Sequence, residues 1–176
     1  TLGFANSIAI SGNWLAIAVE NKVKSSAGAV LIYDLTAATP VFNKAIKVGA
    51  LPDMLTFTPD GQTLVIANEG EPETNYSVDP EGTIGLVKRA NNQWPDQAVL
   101  LGFGAFESQK AALMKKGLKI AAPEGTTLAQ DIEPEYITVT ADSKKAYVSL
   151  QDNNALAVVD IAAGKIDKIV GLGFKD

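Results

Sequence analysis

The chain has 176 residues, 15 basic and 20 acidic, for a net charge of −5, and it contains neither Cys nor His. Those counts exclude disulfides, thiolate or imidazole metal sites and a Ser-His-Asp triad, and bases spread this thinly give nucleic acid no clustered footprint. The chain is 47% hydrophobic and 20% charged, an ordinary globular composition. Its apolar runs, such as "AVLIY", stop far short of the ~20 residues of a membrane-spanning helix.

The opening "TLGF" carries no charged or apolar leader and no initiating Met, which reads as a processed or trimmed polypeptide. Next comes "NSIAISGNWLAIAVE" (Asn6–Glu20). A short strand over Ile8–Ile10 runs through the turn "SGN" into a more apolar strand over Trp14–Val19. After the loop "ENKVKSSA" a third strand, Gly28–Leu35, and a fourth, "VFNKAIKV", follow. "PDMLTFTPDGQTLVIANE" (Pro52–Glu69) then repeats the opening pattern with strands Leu55–Thr58 and Leu64–Ala67, continued by "GTIGLVKR" and "AVLLGF". "PEYITVTADSKKAYVSLQ" (Pro134–Gln151) aligns with that second copy without a gap, and "NALAVVDI" and "KIDKIVGL" complete it. Between the last two copies, "AFESQKAALMKKGLKI" sets Phe106, Ala112, Leu113 and Met114 among polar residues and stops at Gly117. That spacing predicts a short amphipathic helix of roughly three turns, packed between blades.

A repeat of four antiparallel strands is the unit of a β-propeller. The predicted fold is therefore all-β: a propeller fragment of about three four-stranded blades (6–49, 52–103 and 134–173) with one short helix inserted in 104–133. Propellers usually close with four to eight blades. An arc of three leaves open edges, to be covered by further blades or by self-association.

Strand alternation puts the second-to-third-strand loops and the interblade crossovers on one face, where loops carry function. One such loop, "NEGEPETNYSVDPEG", has Glu69, Glu71, Glu73, Asp79 and Glu81 and no base. Asp53 and Glu135 open first strands that line the channel mouth, "AQDIEPEY" adds Asp131 and Glu133, and "QDNN" adds Asp152. The candidate ligand or metal face is thus Asp53, Asn68, Glu69, Glu71, Asp79, Glu81, Asp131, Glu133, Glu135 and Asp152, with Tyr76 placed to stack on a ligand. Oxygen donors of this kind suit Ca²⁺ or another divalent cation. The alternative is a solvated acidic loop stiffened by Pro72 and Pro80. Asp34 and Asp160 read as turn-stabilising acids, and Trp14 and Trp94 as packing.

"GALPDMLTFTPDGQTLVIANEGEP", "YSVDPEGTIGLV", "FESQKAALMKKGLKI" and "DIEPEYITVTADSKKAYVSLQDNNALAVVD" together resemble the choice-of-anchor I family. "AYVSLQDNNALAVVD" is also similar to the YVTN surface-layer type of blade. The resemblance implies an exported, extracellular, periplasmic or surface-attached propeller with more blades, in a family some of whose members are designated alkaline phosphatases. Two functions follow as expectations. One is a binding module for an extracellular ligand or protein. The other is a metal-dependent phosphoesterase whose carboxylate-held ion polarises a phosphate.

Overall fold

A computed structural model describes residues 1–174. Twelve strands form three separate four-stranded antiparallel sheets, each made of consecutive strands. The first blade contains β1 (Leu2–Ser11), β2 (Trp14–Asn21), β3 (Ala27–Asp34) and β4 (Val41–Ala50). The second contains β5 (Pro52–Phe57), β6 (Thr63–Asn68), β7 (Thr83–Lys88) and β8 (Val99–Gly102), and the third β9 (Ile137–Val139), β10 (Lys145–Leu150), β11 (Ala155–Asp160) and β12 (Lys165–Gly171). The propeller-type, all-β expectation therefore holds. β1 begins four residues before the expected start of the first blade, because Leu2 still pairs with Asn21 across two bulges.

The repeat is visible in its turn chemistry. Thr58 Oγ1 donates to Asp60 Oδ1 at 2.6 Å, and Thr140 Oγ1 does the same to Asp142. The same hydroxyls accept from the Thr63 and Lys145 amides, so each side chain fastens both ends of its hairpin. Gly61 takes φ +68 in one turn; Ser143 takes φ +61 in the other, in the left-handed region that costs a non-glycine residue. Asp34 and Asp160 accept from the amides of Thr36 and Ala163, as turn-stabilising acids should.

Because strand side chains alternate, each blade has two faces, and facing blades bury them against each other. In the first joint, Ala16, Ala18, Val30, Ile32, Ile46 and Val48 meet Leu55, Phe57, Leu64, Ile66, Val87 and Trp94. Trp14 packs edge-on to Trp94 at 5.7 Å, and the Arg89 guanidinium stands 5.6 Å from both rings. The tryptophans therefore serve packing, as expected. At about 1.5–3 kcal/mol per fully buried aliphatic or aromatic side chain, such joints are the main source of cohesion.

The second joint recruits the insertion. A 3₁₀ helix (Gly104–Gln109) runs into α1 (Lys110–Met114), and Phe106 and Leu113 sink into the core between the second and third blades. Ala112 and Met114 remain exposed, because the 3₁₀ turns rotate the apolar stripe away from a regular helical face. Gly117, at φ +97, ends the run against the Gly173 backbone, where a β-carbon would not fit.

A further single helical turn, α2 (Leu128–Asp131), follows in the same insertion. Thr127 and Gln130 form a capping box at its start, and Glu107 Oε2 accepts from the Leu128 amide at 2.6 Å. The signature "TLAQ" was readable in the sequence, but four residues are too few to register as a helical period.

Candidate functional site

The first strands of the three blades stand side by side. Asn6 Nδ2 donates to the Pro52 carbonyl, and the Ile137 amide faces Met54 Sδ. This arrangement places Asp53, near the start of β5, close to Glu135, just before β9. From the other side, β6 ends at Asn68 and hands the chain to Glu69 and Gly70, whose amides donate to the Leu51 and Ala50 carbonyls. Gly70 needs its φ of +71 here, because a β-carbon would collide with the Glu81–Gly82 backbone. The acidic loop is then tied to the α2 segment. Gly82 N donates to the Ala129 carbonyl, and Gln130 Nε2 to that of Asp79.

These ties draw Asp53, Glu69, Glu71, Glu133, Glu135 and Asp152 into one group. Partial burial, followed by the charges of Asp53, Glu133, Glu135 and Glu71, pushes the Glu69 carboxyl up to about 8. Glu133 is pushed up to about 7, by burial first and then by Asp152, Glu71, Asp131 and Glu135. Glu135 is raised by burial, with Asp152 and Asp53 adding to it, and Asp53 by burial. Among the described residues one ion pair reaches the group, a 3.7 Å contact of Lys24 with Glu71, both well exposed. Burial and mutual repulsion without matching cations leave Glu69 and Glu133 able to hold a proton at neutral pH.

The other predicted residues divide differently. Asn68 is fully buried, not on the loop face; its Nδ2 donates to Thr83 O and Oγ1, and its side chain packs where Gly49 of the first blade leaves room. Asp131 is buried too. Its Oδ1 accepts from the Ala121 and Ala122 amides at 2.8 and 2.6 Å, and its Oδ2 from Asn153 Nδ2 at 2.7 Å. Both are therefore structural in their observed contacts. Glu81 is exposed beside Gly102, at the edge of β8. Asp79 and Tyr76 border a hole of about 30 Å³ shared with Asp131, Glu133 and Asp152, and Asp79 Oδ1 is buried there without a hydrogen-bond partner. Burial, then Asp131, raises the Asp79 carboxyl.

Asn153 was not foreseen. Fully buried, it donates to Lys119 O, Asp131 O and Asp131 Oδ2 and accepts from the Glu133 amide, so it fixes where Glu133 enters the group. An Asn in a polar turn carries no local signal of that role.

As arranged, no three carboxylates among the described residues are set to hold a metal ion. No hydroxyl among the described side-chain hydrogen bonds is coupled to Glu69 or Glu133, so the group presents no nucleophile with an adjacent base. Glu69 and Glu133 are the carboxyls of the group that burial and neighbouring charge raise furthest, into the neutral range.

Three solved structures share this arrangement of strands. The putative 6-phosphogluconolactonase from Bacteroides fragilis aligns over 98% of this chain and 39% of its own, with 13% identity and a TM-score of 0.54. Hydrazine synthase from Kuenenia stuttgartiensis aligns over 88% and 39%, with 14% identity and a TM-score of 0.51. Apo AztD from Citrobacter koseri aligns over 94% and 33%, with 17% identity and a TM-score of 0.50. The chain therefore spans about two fifths or less of each neighbour's length, and at these identities the likeness is one of fold. No curated protein matches the sequence. The family model of the choice-of-anchor I domain matches residues 1–176, and the chain belongs to the choice-of-anchor I family.

Proposed function

We propose that this surface β-propeller module works outside the cytoplasm and engages a positively charged ligand or partner at the face formed by Asp53, Glu69, Glu71, Glu133, Glu135 and Asp152. The observation that supports the reading is the half-buried carboxyl group with almost no matching cation, in which Glu69 and Glu133 are pushed up to about 8 and about 7. A fold does not normally keep buried like charges together without a partner for them. A cation would displace the protons and relieve the repulsion. Hard divalent ions are the simplest candidates, Ca²⁺ above all, because it tolerates irregular oxygen sets at the edge of a loop. Here such an ion would require the carboxylates to close in on it, so binding would order the acidic loop.

Isothermal titration of Ca²⁺ or Mg²⁺ into the protein near pH 7, in two buffers of different ionisation enthalpy, tests this directly. Saturable binding with proton release is expected in the wild type, and its loss in Glu69→Gln/Glu133→Gln. Neither binding nor proton release by any divalent ion would leave a cationic protein partner as the remaining form of the proposal. No observation favours the phosphoesterase alternative. Hydrolysis of a phosphate monoester that depends on both a divalent ion and Glu69 would replace the binding reading with it.

A further inference from the structure

Of the chain's ten asparagines, only Asn75 has a hydroxyl residue two positions on, in the run Glu73-Thr74-Asn75-Tyr76-Ser77. Asn-x-Ser with x other than Pro is the acceptor sequence for N-linked oligosaccharide, provided that it lies on an accessible surface loop. The triplet alone is common. Here an acid, Glu73, also stands two residues before the Asn, which gives the longer acceptor form that some bacterial transferases require.

The fold presents these five residues as an acceptor needs them. They lie in the loop between β6 and β7, outside any strand or helix, and residues 73–78 are all exposed. None of the five belongs to either hydrophobic core, so a bulky group added here displaces no packing. The Glu73 amide donates to the Val78 carbonyl and the Tyr76 amide to the Glu73 carbonyl, which closes the bend at its base. Within the bend, the Ser77 amide donates to Asn75 Oδ1 at 3.0 Å. That bond engages the amide oxygen and leaves Nδ2, the atom to be modified, without a hydrogen-bond partner among the described residues. Ser77 Oγ donates to Glu73 Oε2 at 3.0 Å, so the acid, the Asn and the hydroxyl are held on one tight, solvated turn.

We propose that Asn75 is an acceptor site for N-linked oligosaccharide, taken from a polyprenyl-diphosphate donor. Asn75 Nδ2 attacks the anomeric carbon of the donor sugar. The C–N bond forms as the C–O bond to the diphosphate breaks, the diphosphate leaves with that electron pair, and Nδ2 gives up one proton to a base of the transferase. Nothing is oxidised or reduced. Use of the site in the cell rests on the reading that the module works outside the cytoplasm, where such transfer takes place.

The test incubates the purified, folded protein with a bacterial oligosaccharyltransferase and an undecaprenyl-diphosphate-linked oligosaccharide, and reads the intact mass. A gain of one glycan is expected, with the modified peptide mapping to Asn75. Asn75→Gln and Ser77→Ala should abolish the gain, Ser77→Thr should keep it, and Glu73→Gln should lose it with a transferase that requires the acid. Circular dichroism checks that each variant keeps the strand content of the wild type. No gain, a gain at another residue, or a gain only after denaturation overturns the proposal, wherever the protein works. Fractionation of cells that make the protein together with the transferase and donor then separates the two readings. Exported protein glycosylated at Asn75 supports both, and exported but unmodified protein overturns the proposal. Protein that stays in the cytoplasm, yet accepts the glycan once purified, overturns the location alone.

Discussion

Asp131 and Glu69 are both acids of the loop regions beside the channel mouth, yet they occupy opposite electrostatic situations. Asp131 is buried deeper and is satisfied: two amides and the Asn153 side chain donate to it. Glu69 is less buried, but faces Asp53, Glu133, Glu135 and Glu71 and accepts no hydrogen bond among the described residues. The difference shows that depth alone does not decide the fate of a carboxylate. Donors aimed at the oxygens hold one acid in place, and their absence leaves the other a raised, proton-holding carboxyl.

The largest expected effect breaks the satisfied side of this pair. Asp131→Ala leaves the Ala121 and Ala122 amides and the buried Asn153 side chain without their acceptor, and should cost about 2–3 kcal/mol, read as a fall of roughly 4–12 °C in melting temperature for a domain of this size. Asp131→Asn, which keeps one acceptor oxygen, should recover part of it.

The unsatisfied side is tested by pH. The folded-state carboxyls of Glu69 and Glu133 lie above their unfolded value, so the native state holds protons that the unfolded chain has released. Stability should therefore be highest near pH 5 and decline as the pH rises to about 8, read as a falling melting temperature across a thermal series, and solvent screening of these half-exposed groups keeps the fall well below the full linkage value. Glu69→Gln should flatten most of that slope and raise the melting temperature at pH 8. A stability that rises between pH 5 and 8 in the wild type would contradict the unmatched-charge reading.

Asn68→Ala separates structure from site, because Asn68 holds Thr83 and fills the space at Gly49. A loss of about 1–2 kcal/mol with the cation response of the acidic group retained is expected in denaturant titration. The smallest effect belongs to Lys24→Ala, which removes an exposed ion pair with Glu71 and should change stability by less than about 0.5 kcal/mol.

Much of the fold was legible. Three copies of one strand pattern, with "TPDGQT" and "TADSKK" at equivalent turns, dictate hairpins by local side-chain-to-backbone bonds, and these formed where the spacing put them. Asp53, Glu69, Glu133 and Glu135 were picked out by topology, since alternating strand direction sends their segments to one side. Asn68 and Asp131 are buried and hydrogen-bonded within the fold, which the sequence did not show, because the same donor atoms serve a ligand or a neighbouring amide equally well. The contacts they make depend on the folded positions of Gly49, Ala121 and Asn153.

The sequence by itself determined the blade: periodicity of two, turn residues and the repeat are local, and each strand's partner lies next to it in the chain. It also determined that one side of the molecule would be acidic, because residue identity and strand direction suffice for that. The tertiary structure decided which acids are satisfied and which share a proton-holding group. Those outcomes depend on contacts between segments far apart in the chain, whose free energy comes from burial and orientation rather than composition.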